Sequence, residues 1–173
     1  MKKKLVIGAL IAVLAVGMVM AFTACGVNGS PESVVKAMLK AQLDYDVEKM
    51  IDLMYFEDQN DDGVLRYDLK AEIEELGLVG SSVKLTKFEC TVTEATEEEL
   101  EAAKALYEGI NVEAVSKCEY TYSTEGSITV TIDGEEVEQD MNSQDVKGTT
   151  VVYKVDGKWY MEIIPAGLTN TGT

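Results

Sequence analysis

The 173-residue sequence contains no histidine, two prolines, three cysteines and one tryptophan. Without histidine the chain lacks the commonest general base and the commonest transition-metal ligand, which excludes Ser-His-Asp and Cys-His catalysis within it. Basic residues are scarce too: 15 Lys and Arg stand against 31 Asp and Glu, for a net charge of −16. An acidic surface repels phosphates, so no nucleic-acid partner is expected. Apolar residues make up 46% of the chain, enough for the core of one domain.

The first 25 residues have the three parts of a bacterial export signal. Three lysines at residues 2–4 precede an uncharged, mainly apolar run over residues 5–22, and the small residues Thr23 and Ala24 lead to Cys25. The apolar run only just reaches the length that spans a bilayer. An uncleaved membrane anchor is therefore the alternative to a cleaved signal.

The segment Phe22-Thr23-Ala24-Cys25 resembles the lipobox of bacterial lipoproteins. The resemblance implies cleavage before Cys25 and attachment of lipid to that cysteine. Residues 1–24 are then a signal peptide, and residues 25–29 form a tether that spans at most ~18 Å. We expect a lipid-anchored, extracytoplasmic protein at the outer face of the cytoplasmic membrane, with its folded part close to that surface.

Two short amphipathic helices are predicted at the start of the folded part. Ser30 suits an N-cap and Pro31 suits the first helical position. Apolar residues then recur at helical spacing as far as Leu43. After a break at residues 44–46, Asp46 is expected to cap the second helix.

Further helices and strands are predicted along the rest of the chain. A third helix is expected from Tyr67 to Leu76, and a fourth opens with the capping box Thr96-x-x-Glu99. We expect this fourth helix to turn three side chains inward: Leu100, Ala103 and Tyr107. The predicted strands are residues 82–92 and 115–123, a hairpin turning at Asp133-Gly134, and a hairpin turning at Asp156-Gly157 that continues through Trp159, Met161 and Ile163.

Helices followed by meandering strands predict one α+β domain over residues 30–165, with the N-terminal helices packed on a curved antiparallel β-sheet, and a flexible tail over residues 166–173. The segments SPESVVKAML (30–39) and DYDVEKM (44–50) resemble the opening of small lipoproteins with a nuclear-transport-factor-2-like, or cystatin-like, domain. YKVDGKWY (153–160) is similar to the final hairpin of that family. The resemblance implies a cone-shaped pocket between sheet and helices. It implies no activity, because this fold carries enzymes, binders and scaffolds.

An acidic stretch suggests a calcium site. Asp58, Asn60 and Asp62 stand at positions 1, 3 and 5 of a calcium-loop pattern, with Gly63 at position 6. Position 12 is Leu69, where a bidentate glutamate normally completes the coordination shell. The alternatives are a weak calcium site and an acidic, solvated turn.

Two cysteines lie on the same side of the predicted strands. Outside the cytoplasm, Cys90 and Cys118 could form a disulfide that closes a loop of about 30 residues. The alternative is a pair of buried thiols packed as small apolar groups.

Several aromatic side chains are candidates for lining a pocket, although aromatic residues on strands are commonly core. The candidates are Tyr45, Tyr120, Tyr122 and Trp159. Acidic runs at residues 97–101 and 135–140 are typical of solvated surfaces, and a cation-rich partner is the alternative.

These observations favour a binding or interaction module without catalytic activity, held at the membrane by lipid. Whether the partner is a small molecule or a protein is left open. The first alternative is a small pocket enzyme that uses carboxylate and tyrosine groups, which a buried carboxylate with a raised pKa would favour. The second is a calcium-responsive module.

Overall fold

In a computed structural model, which describes residues 29–58 and 61–166, the chain alternates between helices and antiparallel strands. The helices are α1 Pro31–Leu43, α2 Val47–Ile51, α3 Asp62–Glu75 and α4 Glu97–Leu106. The strands are β1 Tyr55–Phe56, β2 Leu78–Ser81, β3 Lys84–Glu94, β4 Val112–Glu125, β5 Ser127–Ile132, β6 Glu135–Asp140, β7 Ser143–Val155, β8 Lys158–Tyr160 and β9 Ile163–Ile164. No helix within the described ranges is long and apolar enough to cross a bilayer.

Side-chain caps confirm the predicted starts of the first two helices. Ser30 accepts a hydrogen bond from the backbone N–H of Ser33 at 3.2 Å, and α1 begins at the next residue. Asp46 accepts one from the backbone N–H of Lys49 at 3.1 Å at the start of α2. These bonds satisfy donors that a helix end otherwise leaves unpaired.

Helix α3 begins at Asp62, before the predicted start at Tyr67. The Arg66 guanidinium donates to the Asp62 carboxylate at 2.8 Å, one helical turn away, and also pairs with Glu48 of α2. An ion pair at this spacing and an acid in the first turn both stabilise a helix. The helix therefore begins within the acidic stretch at residues 58–63.

One antiparallel meander forms both larger sheets. The first sheet has the strand order β3-β4-β7-β8 and the second has the order β2-β5-β6. Each strand of the second sheet is the neighbour in sequence of a strand of the first: β2 precedes β3, β5 follows β4, and β6 precedes β7. The two sheets are therefore the two arms of a single meander that bends in the middle.

Gly126 lies in the bend between β4 and β5, and its φ of 130° favours glycine. A Cβ at this position would lie 2.5 Å from the carbonyl oxygen of Ser82. The Ser82 N–H donates to the carbonyl of Ser127 at 2.9 Å, and the Gly126 N–H donates to the Asn142 side chain at 2.9 Å. This close approach curls the meander into half a barrel, and the predicted α+β class with a curved antiparallel sheet is confirmed.

The predicted hairpin turns are confirmed, but the last hairpin is shorter than predicted. Asp156 and Gly157 both have positive φ and connect β7 to β8. Strand β8 ends at Tyr160, and Ile163 then pairs in parallel with Tyr55 in the short β1–β9 ladder. The chain after Tyr160 therefore returns to the helical end of the domain.

The core has three clusters of buried side chains, one on each face of the main sheet and one in the bend. Helix α1 covers one face with Val34, Val35, Met38 and Leu39, packed on Cys118, Tyr120 and Val152. The opposite face carries a second cluster around Val115 and Val155. Val83, Ile128 and Val130 form the third, against the end of α1. All described members of the three clusters lie between Val34 and Ile163.

We predict that Gly148→Ala destabilises the domain. Gly148 lies directly opposite Tyr120 in the β4–β7 ladder, and a Cβ there would overlap the tyrosine ring. Overpacking of this kind typically lowers the free energy of unfolding by ~1–3 kcal/mol. Urea unfolding measures the loss. Gly80→Ala, in a strand with open space around the glycine, is the matched control. Equal stability of the two variants would show that the ring moves without cost.

Candidate binding surface

Helix α4 begins at a capping box, as predicted. The Thr96 hydroxyl accepts a hydrogen bond from the Glu99 N–H at 3.3 Å, and the Glu99 carboxylate accepts one from the Thr96 N–H at 2.7 Å. The hydrogen bonds from Thr96 hold the pKa of Glu99 below its usual range. Glu99 is therefore a fixed negative charge beside the sheet.

The side chains predicted to face inward do attach α4 to the sheet. Leu100, Ala103 and Tyr107 belong to the cluster that includes Val115 and Tyr153. The rings of Tyr107 and Tyr153 meet edge to face, with 5.4 Å between their centroids. By strand alternation these sheet residues point away from α1, so α4 and α1 lie on opposite faces.

A groove of about 370 Å³ runs between α4 and the sheet. Its volume falls near the lower end of the ~300–1,000 Å³ range of small-ligand pockets. The lining is mainly apolar, from Ala95, Ala102, Ala103, Leu106, Val115 and Val151, with Tyr153 alongside. Leu106 is 71% exposed and Val151 is 39% exposed. Two large apolar side chains are thus left for a partner to cover.

The rim of this α4 groove is acidic. Glu94 and Glu99 line it, and Lys117 is the one basic residue in its lining. The Lys117 ammonium pairs with Glu119 of the same strand at 2.7 Å. Lys117 also interacts electrostatically with Glu99, so one lysine faces two acids in the lining and the net charge of the lining is negative.

A carboxylate and two tyrosines interact near the C-terminal end of α4. Burial raises the pKa of Glu162, and burial together with the neighbouring Tyr153 raises the pKa of Tyr107. Glu162 also interacts electrostatically with Tyr107. A half-buried carboxyl and a tyrosine hydroxyl that interact electrostatically are groups that acid–base catalysis uses. Glu162 is not among the residues that line the α4 groove.

A larger groove of about 660 Å³ lies at the other end of the main sheet, where β3 and β4 both contain bulges. Two of its hydroxyl groups are already engaged: the Thr124 hydroxyl donates to the Met141 carbonyl at 2.6 Å and lies 2.7 Å from the Ser143 hydroxyl. Lys87 and Asp145 pair at 2.9 Å across the mouth. These groups already take part in hydrogen bonds and an ion pair within the fold. This groove is therefore the weaker candidate for a binding site.

The structure describes only part of the candidate calcium loop. Asp62 bonds Arg66, and Gly63 lies in the first turn of α3, where the loop pattern requires a sharp turn. Asp58 precedes the gap in the described residues, and Asn60 lies outside them. Within residues 29–58 and 61–166, no three His, Cys, Asp or Glu side chains are grouped to hold a metal ion. Calcium binding stays a prediction.

Cys90 and Cys118 are neighbours beneath α1, and both are free thiols in the structure. They lie diagonally across the β3–β4 ladder, since Cys90 is opposite Tyr120 and Cys118 is opposite Val92. Their side chains form a hydrogen bond, and burial raises the pKa of Cys118 to about 12. The geometry brings the predicted pair together, and the disulfide itself stays a prediction.

The structure brings three of the four aromatic pocket candidates together, but in a core cluster, and places the fourth elsewhere. Tyr120 is buried in the α1 cluster, with Tyr122 and Trp159 packed against it, whereas Tyr45 packs against the cluster in the bend. Burial raises the pKa of Tyr45, Tyr120 and Tyr122. These rings fill the cores.

Sequence reasoning missed the α4 groove and Glu162. One signal for the groove was available: Leu106 lies off the helix face formed by Leu100, Ala103 and Tyr107, which leaves a large apolar side chain without a place in the core. The proposed lipid-bearing Cys25, the signal peptide and most of the tether and tail lie outside the described residues.

Compared with known proteins, the chain matches no family model, no curated protein and no solved structure. Its function must be inferred from its own residues and geometry.

We predict that Glu162→Gln stabilises the domain at pH 7. A carboxyl whose pKa is raised by burial binds its proton more tightly in the folded state, so its contribution to stability is lost as pH rises through the folded pKa. The amide removes that penalty and should raise Tm by about 1–2 °C, limited by the partial exposure of the group. Below about pH 4, where the unfolded carboxyl is protonated too, the advantage should disappear. The control Glu136→Gln, on an exposed strand, should leave Tm unchanged both at pH 7 and below about pH 4. A gain in Tm from Glu162→Gln that is the same at both pH values would contradict this account.

Proposed function

We propose that this chain is a lipid-anchored, extracytoplasmic binding module whose α4 groove receives an apolar group of its partner. The proposal joins two features. The first is the export signal ending in Phe22-Thr23-Ala24-Cys25, and the second is an α+β domain that begins only a short tether later, at Ser30.

We also propose that the domain is of the nuclear-transport-factor-2-like type. Two N-terminal helices and a strongly curled antiparallel sheet support this, as does the packing of α1 on one face of that sheet. The described side chains beneath α1 pack tightly, with Met38, Cys118 and Tyr120 in the same cluster. The binding role is therefore assigned to the opposite face.

One observation carries the binding role: the exposure of Leu106 and Val151 on either side of an apolar groove. Single exposed apolar residues are common on protein surfaces, but two that converge on one concave surface are typical of a binding site. Burying them against a partner is favourable by about 25 cal/mol per Å² of apolar surface.

A second candidate function, acid–base catalysis, has one observation in its favour. Glu162 is a half-buried carboxyl with a raised pKa that interacts electrostatically with Tyr107. Tyr153 connects this pair to the α4 groove, because it contacts Tyr107 and lines the groove.

For the anchor, we predict that Cys25→Ser leaves the protein without lipid. In cells expressing the full chain, the wild-type protein should fractionate with membranes and carry added lipid mass on a chain that begins at Cys25. The serine variant should carry none, because serine lacks the thiol that is modified. A conservative change one residue later, Gly26→Ala, is the control. Normal cleavage and lipid mass in Cys25→Ser would refute lipidation at this residue.

For the groove, we predict saturable binding of the uncharged fluorescent dye Nile red to a soluble chain of residues 26–173. Leu106→Gln removes an apolar wall at an exposed helical position and should weaken binding roughly threefold to tenfold, since each buried CH₂ contributes about 0.8 kcal/mol. Ala102→Trp should weaken binding by filling the groove with its own ring.

Val64→Gln on α3 is the matched control, because Val64 is also an exposed apolar residue on a helix and lies outside the groove. It should bind the dye as the wild type does. Equal loss in all three variants, or no saturable binding by the wild type, would rule out the α4 groove as the binding site.

A further inference from the structure

Building on the proposed function, we propose that the partner at the α4 groove is a basic, amphipathic segment of another protein. Such a segment would place apolar side chains in the groove and Lys or Arg side chains against its rim. Three features lead to this partner: the unpaired acids around the groove, the apolar stripe that extends it, and the sign of the charge on the whole chain.

The acids around the groove exceed the bases available to pair with them. Among the described residues, the structure gives Glu94, Glu97 and Glu98 no hydrogen bond or ion pair, and all three are exposed. Of the nearby bases, Lys104 pairs with Glu101 at 2.8 Å, and Lys117 pairs with Glu119. The surface therefore offers negative charge that only a cationic partner would neutralise.

Two of these acids are well placed relative to the apolar surface. Glu94 lines the groove from the end of β3. Glu98 precedes Ala102 by one helical turn, which puts it on the helix face that borders the groove. A cation within reach of both carboxylates would lie at the edge of the site rather than far from it.

The apolar surface is longer than a pocket for one small group. Ala102, Ala105 and Leu106 are exposed along α4, and Val151 of β7 lines the groove together with Ala102 and Leu106. A stripe of this shape matches an extended or helical segment that presents apolar side chains along one side, as in helix-in-groove recognition.

The net charge disfavours the other occupants of an apolar surface. A second copy of this chain would bring another −16 charges, and like charges across an interface are costly. An anionic lipid surface would be repelled for the same reason. A cationic polypeptide is attracted both locally by the rim and at longer range by the whole domain.

Three synthetic peptides of equal length test this inference on the soluble chain of residues 26–173. One repeats Lys and Leu at amphipathic helical spacing, the second replaces every Lys by Glu, and the third replaces every Leu by Gln. We expect the Lys/Leu peptide to bind at least tenfold more tightly than either of the others in calorimetry. Its affinity should fall as NaCl is raised from about 0.05 to 0.5 M, because salt screens exposed charges.

Matched charge variants separate the rim from the general acidity of the chain. Glu94→Gln with Glu98→Gln should weaken binding of the Lys/Leu peptide at least fivefold. Glu135→Gln with Glu136→Gln removes the same charge from the distant β6 strand and should have little effect. Leu106→Gln should weaken binding of the Lys/Leu peptide as well.

The outcomes distinguish this inference from the proposed function. Saturable Nile red binding at the groove, without preference for the Lys/Leu peptide, would overturn the basic partner and leave the groove intact. Equal loss in the two charge variants would show that the peptide is attracted only by the net charge of the chain. That result would also overturn the basic partner at the α4 groove. If neither the dye nor any of the three peptides binds, both the proposed function and this inference are overturned.

Discussion

Strand β4 pairs with β3 along one edge and with β7 along the other, and the two main cores of the domain are built on its two faces. Cys118 and Tyr120 point toward α1, while Val115 and Lys117 point toward α4. Because alternate residues of a strand face opposite ways, a slip of one residue in either ladder would exchange the two faces and place Lys117 under α1. The contact of Tyr120 with Gly148 opposes such a slip, since only a glycine leaves room for the ring. The register of β4 thus sets both the packing of α1 and the composition of the α4 groove.

The two faces differ in how completely they are covered. Helix α1 has thirteen residues and buries five of them, whereas α4 has ten and buries only Ala103. A helix attached by so few buried contacts leaves part of the sheet open beside it, and Val151 is the sheet residue exposed in this way. The groove is therefore a consequence of a short helix on a wide sheet. Local opening of α4 should cost less free energy than opening of α1, which suits a surface that adapts to a partner.

Features that depend on nearby residues could be predicted from the sequence, and features that depend on distant residues could not. The caps at Ser30, Asp46 and Thr96 are hydrogen bonds to backbone groups three residues away, so their residue types are sufficient evidence. The Asp-Gly turns are equally local. The bend at Gly126 depends on the approach of Ser82, and the β1–β9 pairing joins residues more than a hundred positions apart. Glu162 likewise interacts with Tyr107, which lies 55 positions earlier in the chain, and nothing in its own segment indicates this.

Charge connects the anchor to the groove. If the proposed anchor holds this acidic domain on a short tether, the anionic headgroups would repel it, and its exposed apolar groups would not be drawn into the lipid surface. The same repulsion would act between copies anchored in one membrane and would oppose contact between their grooves. Under the proposed anchoring, acidity would thus protect the exposed apolar groove from two surfaces that could cover it, without hindering a cationic partner. On this view the acidic residues of α4 act as selectivity elements as well as solubilising ones, because they determine which apolar surfaces can approach the groove.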